Sequence, residues 1–321
     1  MKSQFKFLVA LIFSAVFVIS AAAGSAAPAD LLSAGRVDDA VRSLNGRVQS
    51  NPSDAEAYHL LSRAYYHLKK WDDSISYGEK AVQLNPNNSN YYMWLARAYG
   101  EKADSSSFVT AAGLTKKIRL DFEKAVQLDP GNADAISDLS EFYIEAPGFM
   151  GGGLDKAEQQ AEHLAQLDPA RAHWVKARIA EKKKDPAGAE AEYKAAIQVD
   201  PDADHWLNLA SFYRKQNRLG DMESTVNTAM NSRMKNSNSL YDAATLLYKA
   251  GRNLNGAAFY IEKYLKSGAI NEDAPAFEAH YMLGAIREKL GDRQAAATEY
   301  RASLALADEY KPAQDGLKRT A

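Results

Sequence analysis

The chain has 321 residues, of which 46% are hydrophobic and 25% charged, and its formal net charge is −2. These values are typical of folded proteins and exclude a disordered or low-complexity chain. They also exclude the strongly basic balance that nucleic-acid-binding proteins usually show. The sequence contains no cysteine, so neither disulfide bonds nor a lipid-modified cysteine can form.

The first residues have the pattern of an export signal. Lys2 and Lys6 precede an apolar run at residues 7–19, and small residues follow as far as Ala27. The run is shorter than the roughly 20 residues that span a bilayer. We therefore predict a signal peptide at residues 1–27, cleaved after Ala23 or a few residues later, and a periplasmic or secreted protein. The alternative is an uncleaved membrane anchor.

Residues 55–86 set a pattern that the rest of the chain repeats. Apolar side chains recur there at the three- and four-residue spacing of a helix, before and after a polar break at residues 69–72. The unit ends at Asn85-Pro86, because proline disfavours the helical conformation in the residue before it. The same Asn-Pro or Asp-Pro step returns at Pro52, Pro130, Pro169 and Pro201.

A helix pair that returns about every 34 residues resembles the tetratricopeptide repeat (TPR). Ala81, Ala125 and Ala196 each stand five residues before a proline of these steps. The resemblance covers nearly all of the chain after the leader and implies an all-α fold, an α-α solenoid wound as a right-handed TPR superhelix. Because each repeat of such an array contacts only its neighbours, we expect a curved spiral without a single central core.

The register of the repeats predicts the domains. Residues 28–52 match only the second half of a repeat and are interpreted as a partial N-terminal cap, since terminal repeats shield one face from water. Residues 53–310 form an array of about six repeats, and residues 311–321 form a C-terminal capping helix. Two insertions interrupt the array, near residues 100–115 and 146–153. The first is a longer turn or an extended helix.

The sequence contains no conventional catalytic or metal-binding motif. Its six histidines are scattered over different repeats, and no HExxH spacing occurs. The spacing of Gly148 and Gly153 lacks the lysine and the hydroxyl residue of a phosphate-binding loop. We therefore predict that the protein is not an enzyme and uses no catalytic residue, cofactor or metal.

The resemblance to TPR proteins also implies a binding surface. In that family the first helices of successive repeats line a concave groove, and the register of this chain places aromatic residues and arginines there. Such residues are the usual energetic anchors of binding surfaces. The predicted partner-binding residues are His59, Arg63, Tyr66, Met93, Arg97, Trp174, Arg178, Tyr241, Tyr248 and Tyr281.

Two of the predicted arginines suggest a specific contact. Arg63 and Arg97 occupy the same position in adjacent repeats, so together they could hold a partner's carboxylate. We expect the double replacement Arg63→Ala and Arg97→Ala to weaken partner binding while the helical circular dichroism stays unchanged. The lysine and asparagine positions of carboxylate-clamp TPR domains are not reproduced, which argues against a chaperone tail as the ligand. The alternative is that the arginines only keep an exposed face soluble.

These features predict a non-enzymatic scaffold of the cell envelope that binds a peptide or an extended protein segment in its concave groove. The alternative is a structural or assembly factor that contacts an envelope complex through its convex face and loops. Phe149 and Met150, near the tip of the second insertion, either contact a partner or fold back over a helix end. In both cases the partner is a protein, with no nucleic acid and no membrane insertion after the leader is cleaved.

Overall fold

The computed structural model describes residues 26–320, so the leader predicted at residues 1–27 lies almost wholly outside the described residues. Within that range the chain forms 17 α-helices and no β-strand apart from one isolated bridge between Asp202 and Arg233. None of these helices combines the length and the apolar character that crossing a bilayer would require. Successive helices pack as pairs along an array, so the predicted all-α solenoid is confirmed.

The helices, in chain order, are α1 (Pro28–Ser33), α2 (Val37–Ser50), α3 (Ala55–His67), α4 (Trp71–Leu84), α5 (Ser89–Asp104), α6 (Phe108–Leu128), α7 (Ala133–Glu145), α8 (Leu154–Leu167), α9 (Pro169–Lys182), α10 (Pro186–Val199), α11 (Ala203–Lys215), α12 (Leu219–Met230), α13 (Asn238–Ala250), α14 (Leu254–Lys266), α15 (Ala276–Lys289), α16 (Arg293–Leu304) and α17 (Lys311–Thr320). The first helix of each pair carries an odd number up to α15. Helices α1 and α2 lie in the predicted N-terminal cap, and α17 lies in the predicted C-terminal cap.

Helix α3 illustrates why the first helices form where they do. The carboxylate of Asp54 accepts a hydrogen bond from the amide of Ala57 at 3.0 Å, which satisfies a donor that the first turn of a helix leaves free. Leu60, Leu61 and Ala64 follow at helical spacing and are buried. Asn or Asp side chains cap α7, α9 and α11 in the same way.

The second helices end at the Asn-Pro and Asp-Pro steps that the sequence repeats. Asn85 and Asp129 adopt an extended conformation directly after α4 and α6, as expected for residues that precede proline. Asp168 ends α8 and also caps α9. The repeated dipeptide therefore marks the boundary between one helix pair and the next.

The two predicted insertions take different forms. Helix α5 continues to Asp104, and α6 has 21 residues where α4 has 14, so the first insertion is an extended helical hairpin. The second insertion contains one turn of 3-10 helix at Gly148–Met150. Gly151 follows with a φ of 97°, in the left-handed region that glycine adopts without steric cost.

The two ends of the array contact each other. The amide of Asp38, at the start of α2, donates to the carbonyl of Leu306 at 3.2 Å, and the amide of Asp308 donates to the Asp38 carboxylate at 2.9 Å. Leu32 of α1 and Phe277 of α15 belong to the same apolar cluster. The helices therefore form a closed ring, and the expectation that each repeat contacts only its neighbours is wrong at the two ends.

The closure has a simple physical cause. An open array leaves one apolar face exposed at each end, and shielding such a face is the usual role of a polar cap. Here the curvature of the array brings the two faces together, so each end covers the other and apolar surface is removed from water. This outcome depends on the sum of many small rotations between neighbouring pairs, which no local sequence pattern specifies.

A cluster of charges lies where the ends meet. Arg63 of α3 donates through Nε to the Glu272 carboxylate at 2.7 Å, and Nε2 of His67 lies 3.2 Å from the same carboxylate. Nδ1 of His67 lies 3.8 Å from the Glu278 carboxylate. We call these four residues the junction cluster. Its members come from α3, from the loop before α15 and from α15 itself, so it joins opposite ends of the chain.

The charges of the junction cluster stabilise one another. Burial alone would lower the pKa of His67, but hydrogen bonds and charge attraction from Glu272 and Glu278 outweigh burial and raise this pKa to about 9. Burial would likewise raise the pKa of Glu272, but His67 and Arg63 lower it to about 2. At neutral pH the imidazolium and the carboxylate are therefore both charged inside the contact between the ends.

Candidate functional site

The inner face of the ring is built from the first helices of the pairs. First helices contact one another along most of the array, for example α3 with α5 and α11 with α13. Side chains that point away from the second helices therefore line a shared concave surface. This is the surface on which the TPR resemblance predicted partner contacts.

Two adjoining clefts occupy the middle of this inner face. The first has a volume of about 400 Å³ and lies between α5, α7, α9 and α11. The second has a volume of about 430 Å³ and lies between α11 and α13. Asp204 and Asn208 line both clefts. The two clefts therefore form one continuous surface, which we call the inner groove. Both volumes lie within the range of about 300–1,000 Å³ usual for ligand sites.

Polar atoms in the inner groove lack hydrogen-bond partners. Nδ1 of His205 and the hydroxyl of Thr245 are buried, line the first and second cleft respectively, and have no partner in the described part of the chain. Nε of Arg214, on the same helix as His205, is likewise buried and has no hydrogen-bond partner in the described residues. An unpaired buried polar group costs about 1–3 kcal/mol. These atoms have almost no surface accessible to solvent, so they weaken the local fold and are not themselves contact points for a ligand.

The predicted residues Arg63 and Arg97 both lie over one aromatic ring. Their guanidinium carbons lie 5.0 and 4.9 Å from the centre of the Trp94 ring, a distance at which cation–π attraction is significant. Arg63 is also bound to Glu272, and Arg97 donates through Nε to Asp138 at 2.6 Å. Each guanidinium therefore already holds a carboxylate of the chain itself.

Arg178 is paired even more extensively. Its guanidinium donates to Glu141 at 3.2 Å, to Glu145 at 3.1 Å and to Glu181 at 2.9 Å. Burial would lower the pKa of Arg178, but the hydrogen bond and charge of Glu141, with the charge of Glu181, raise it above its ordinary value. A partner's carboxylate would have to displace these groups to reach the guanidinium.

The predicted aromatic and apolar contact residues differ in their access to solvent. His59 and Met93 are each only 4% exposed, and the His59 ring stacks on Tyr91 with 4.6 Å between centroids. Trp174 lines the first cleft together with Arg97. Of the ten predicted residues, Trp174 and Arg97 are the two that line the inner groove.

Three of the four predicted tyrosines lie in other aromatic clusters, and the fourth, Tyr248, lies beside a lysine. Tyr66 packs edge-on against Trp71 and Trp94, with 5.4 Å between the ring centroids in each case. Tyr241 packs near Tyr264 at 6.2 Å, and Tyr281 packs near Tyr310 at 5.5 Å. Nζ of Lys289 lies 4.9 Å from the centre of the Tyr248 ring. Their predicted role in binding stays a prediction.

The two predicted loop residues have different environments. Phe149 is 83% exposed, whereas Met150 is partly buried. The loop lies against α6, since the position of a Cβ on Gly151 would fall 2.6 Å from Cδ of Arg119. Phe149 is therefore presented to solvent from a loop that rests on the helix below it.

Sequence reasoning missed the polar residues of the inner groove. Asn208 and His205 stand in a first helix at positions that the TPR register does not assign to the groove. The register does place Ser211 and Thr245 on the groove, at the position that Arg63 and Arg97 occupy in their repeats, but neither was chosen as an anchor because of its small size. The unpaired state of His205 and Thr245 depends on three-dimensional contacts and could not be anticipated.

Titratable groups do not converge on a metal site. Among residues 26–320 no group of three or more histidine, aspartate or glutamate side chains is placed to hold a metal ion. His173 and His280 instead pair through Nδ1 with Glu192 at 2.6 Å and Glu299 at 2.7 Å. These contacts repeat the same spacing in two repeats and join the two helices of a pair.

Comparisons with known proteins agree with the repeat pattern. Models of the tetratricopeptide repeat match residues 55–88, residues 151–203 with 176–221, and residues 277–310. Among solved structures, yeast Tom70 is 18% identical over 88% of this chain and 58% of its own, with a TM-score of 0.53. The chain thus spans a little over half the length of the Tom70 chain, and the similarity shows the fold alone.

Two bacterial structures are also similar. A thermophilic TPR protein from Thermus thermophilus is 23% identical over 56% of this chain and 91% of its own, with a TM-score of 0.46. A tetratricopeptide repeat protein from Parabacteroides merdae is 16% identical over 91% of this chain and 95% of its own, with a TM-score of 0.45. No curated protein sequence matches the chain.

Proposed function

Because the chain belongs to the tetratricopeptide repeat family, we propose that it binds a peptide or an extended protein segment in the inner groove. Proteins of this family are scaffolds for protein–protein interaction and are generally not enzymes. In this chain we place the binding site on the surface between α5 and α13.

The observation that carries the proposal is the set of accessible polar side chains in the groove. An extended peptide offers backbone amides and carbonyls at regular intervals, which would pair with Ser211 and Asn208. Ser211 lines the second cleft and is partly exposed. Asn208 lines both clefts, and its side chain makes no hydrogen bond with another residue in the described part of the chain. Its side-chain amide can donate and accept at once, as needed to hold a peptide backbone.

The paired arginines refine the kind of contact that we propose. Arg63, Arg97 and Arg178 are bound to carboxylates of the chain, so the first contacts of the partner fall to the neutral polar groups and to Trp174. The Trp174 ring supplies apolar surface beside them, and such rings are common anchors at interfaces. The partner is thus recognised mainly through its backbone and one apolar side chain.

Site-specific photo-crosslinking tests the place of binding. A photo-reactive amino acid at Ser211, which lines the second cleft, is expected to capture a discrete partner in the native cell. The same amino acid at Ser224, an exposed position of α12, is the matched control and is expected to capture none. Equal capture at both positions, or capture only at Ser224, would contradict binding in the inner groove.

The segment identified by crosslinking then permits a measurement of affinity. The replacement Asn208→Ala is expected to weaken binding of that segment by about tenfold, which corresponds to loss of one well-buried contact. Asn227→Ala, on the exposed side of α12, serves as the control and should bind as the natural chain does. Unchanged affinity of the Asn208 variant would refute the role of this side chain.

We also propose that the scaffold acts in the cell envelope or outside the cell. The support is the basic and apolar pattern of residues 1–27. The amino-terminal sequence of the protein recovered from an envelope fraction tests this proposal. A start between Ala23 and Pro28 is expected, whereas a full-length chain in the cytoplasmic fraction would contradict it.

A further inference from the structure

The two insertions border an apolar cleft that meets the first cleft of the inner groove at Arg97 and Asp138. Helix α7 ends at Glu145 and is followed by Pro147, while the hairpin of α5 and α6 continues past that level. The flank of α6 above the end of α7 therefore has no helix packed against it. The resulting cleft has a volume of about 430 Å³, and we call it the hairpin cleft.

The hairpin cleft is apolar at its centre. Ile118 and Phe122 line it from α6, Phe142 lines it from α7, and Ala103 lines it from α5. Pro147 of the second insertion closes one side. Well-packed apolar pockets of this kind usually hold the anchoring side chain of a partner.

Exposed apolar side chains stand on both insertions. Phe108 and Val109, in the first turn of α6, are 75% and 81% exposed, and Phe149 on the second insertion is 83% exposed. Large apolar side chains concentrated on protruding segments mark interaction surfaces more often than isolated ones do. Both insertions therefore expose large apolar side chains, and both border the hairpin cleft.

The charged residues around the hairpin cleft are mainly acidic. Its lining includes the carboxylates of Asp104, Asp138, Glu141 and Glu145 against the single guanidinium of Arg97. Arg97 pairs with Asp138, and cations of α9 pair with the two glutamates. Asp104, the last residue of α5, has no ion-pair partner in the described part of the chain. A cation on the partner would complement this rim.

We propose that the hairpin cleft is a second docking site, for a protein segment that carries a bulky apolar side chain next to a lysine or arginine. The apolar side chain enters between Ile118 and Phe142, and the cation lies beside Asp104. The site shares Arg97 and Asp138 with the inner groove, but its apolar residues line the hairpin cleft alone, so a partner can occupy it whether or not the inner groove binds a peptide.

Two other occupants fit the charges less well. An anionic lipid surface would meet Asp104, the rim carboxylate that no cation of the described residues compensates, and would be repelled by it. A second copy of the chain, bound about a two-fold axis, would bring a second Asp104 to the same contact, and like charges in such a contact cost free energy. A basic, apolar protein segment has neither disadvantage.

Selection from a random peptide library displayed on phage tests the proposal. The library is selected on the immobilised full chain after depletion on the variant Ala111→Trp, whose indole fills the hairpin cleft that Ala111 lines. The inner groove is unchanged in this variant, so depletion removes peptides that bind there. Ala112→Trp, which alters the next residue of α6 outside the cleft lining, is the matched control.

The expected result is a consensus with a large apolar residue beside Lys or Arg. Selected peptides should bind the natural chain and the Ala112 variant alike, and bind the Ala111 variant at least about tenfold more weakly. No enrichment, or an acidic or purely polar consensus, would overturn the proposal. Concentration-dependent dimers that Ala111→Trp abolishes, or binding to anionic vesicles that it abolishes, would also overturn it, because another occupant would then fill the cleft.

The rim charge can be tested with the same peptides. Asp104→Asn is expected to weaken their binding by about threefold and to reduce the dependence of affinity on salt, because a partly exposed ion pair contributes modestly and is screened by ions. Asp155→Asn, an exposed carboxylate at the start of α8, is the control. If the two variants bind equally well, the proposed place of the cation is wrong.

Discussion

The junction between the two ends of the ring and the inner groove use similar residues for opposite purposes. At the junction, Arg63, His67 and Glu272 are nearly buried and bind one another. In the groove, Nδ1 of His205 and the hydroxyl of Thr245 are buried as well, but neither atom has a hydrogen-bond partner in residues 26–320. Both regions lie on first helices, so residue type and helix position alone do not distinguish them.

The difference shows which buried polar groups stabilise the fold and which do not. Removing one member of a satisfied, buried charge cluster leaves the others without a partner and destabilises the protein. Removing an unpaired group has the opposite effect on stability, since its desolvation was never compensated. Stability measurements can therefore separate the two classes before any partner is known.

The largest effect is expected from breaking the junction cluster. Glu272→Ala leaves Arg63 without its carboxylate partner and His67 with Glu278 alone, 3.8 Å away, and we expect the free energy of unfolding to fall by about 3–5 kcal/mol. Urea denaturation followed by circular dichroism measures this change. Glu262→Ala, which breaks the more exposed pair with Arg287, is the control and should cost less than about 1 kcal/mol. Equal losses of unfolding free energy in the two variants would show that the junction cluster stabilises the protein no more than an exposed ion pair does.

The junction cluster also predicts a dependence on pH. The pKa of His67 is raised from 6.5 to about 9, so its contribution to stability is complete below pH 6.5 and is lost as the pH rises through about 9. The difference in unfolding free energy between the natural chain and His67→Gln should therefore shrink over this window. A constant difference would contradict a charged His67.

Another histidine acts in a separate pH window. Burial, with the charge of Arg63, lowers the pKa of His59 to about 3, so His59 contributes stability that is lost as the pH falls from 6.5 towards 3. Glu272, with its pKa lowered from 4.5 to about 2, also contributes stability that is lost on acidification. Neither group titrates between pH 6.5 and 9, so the His67 measurement is not confounded by them.

The smallest effect is expected in the inner groove, with the opposite sign. Thr245→Val removes a buried hydroxyl that has no partner in residues 26–320, and we expect the free energy of unfolding to rise by about 1 kcal/mol. Thr225→Val is the matched control, since the Thr225 hydroxyl donates to the Asp221 carbonyl at 2.7 Å. Because this hydroxyl is already paired, removing it should not raise the free energy of unfolding. A destabilised Thr245 variant would mean that the hydroxyl is already satisfied in solution.

The sequence predicted the helix pairs because their signals are local. Apolar spacing in α3 and the Asn85-Pro86 step act within one or two turns of helix. The closure of the ring was not predicted, because it joins residues such as Arg63 and Glu272 that lie 209 positions apart. No pattern in either segment alone specifies that contact.

The same limit applies to the candidate site. Repeat register places Trp174 and Arg97 on the inner face, where the first cleft lies. It does not indicate that Arg97 binds Asp138 of the next repeat, or that His59 and Met93 are covered by their neighbours. For the double replacement of Arg63 and Arg97 we consequently now expect a loss of stability at the junction, and not an unchanged fold.

Disulfide crosslinking across the junction tests the central claim most directly, because the natural sequence has no cysteine. The pair Asp38→Cys and Asp308→Cys replaces residues whose side chain and amide are 2.9 Å apart, and Asp38→Cys with Asp155→Cys is the control. Under mild oxidation the closed ring predicts rapid formation of an intramolecular disulfide in the first pair and none in the second. A first pair that stays reduced, or that crosslinks no faster than the control, would show that the ends of the array are apart.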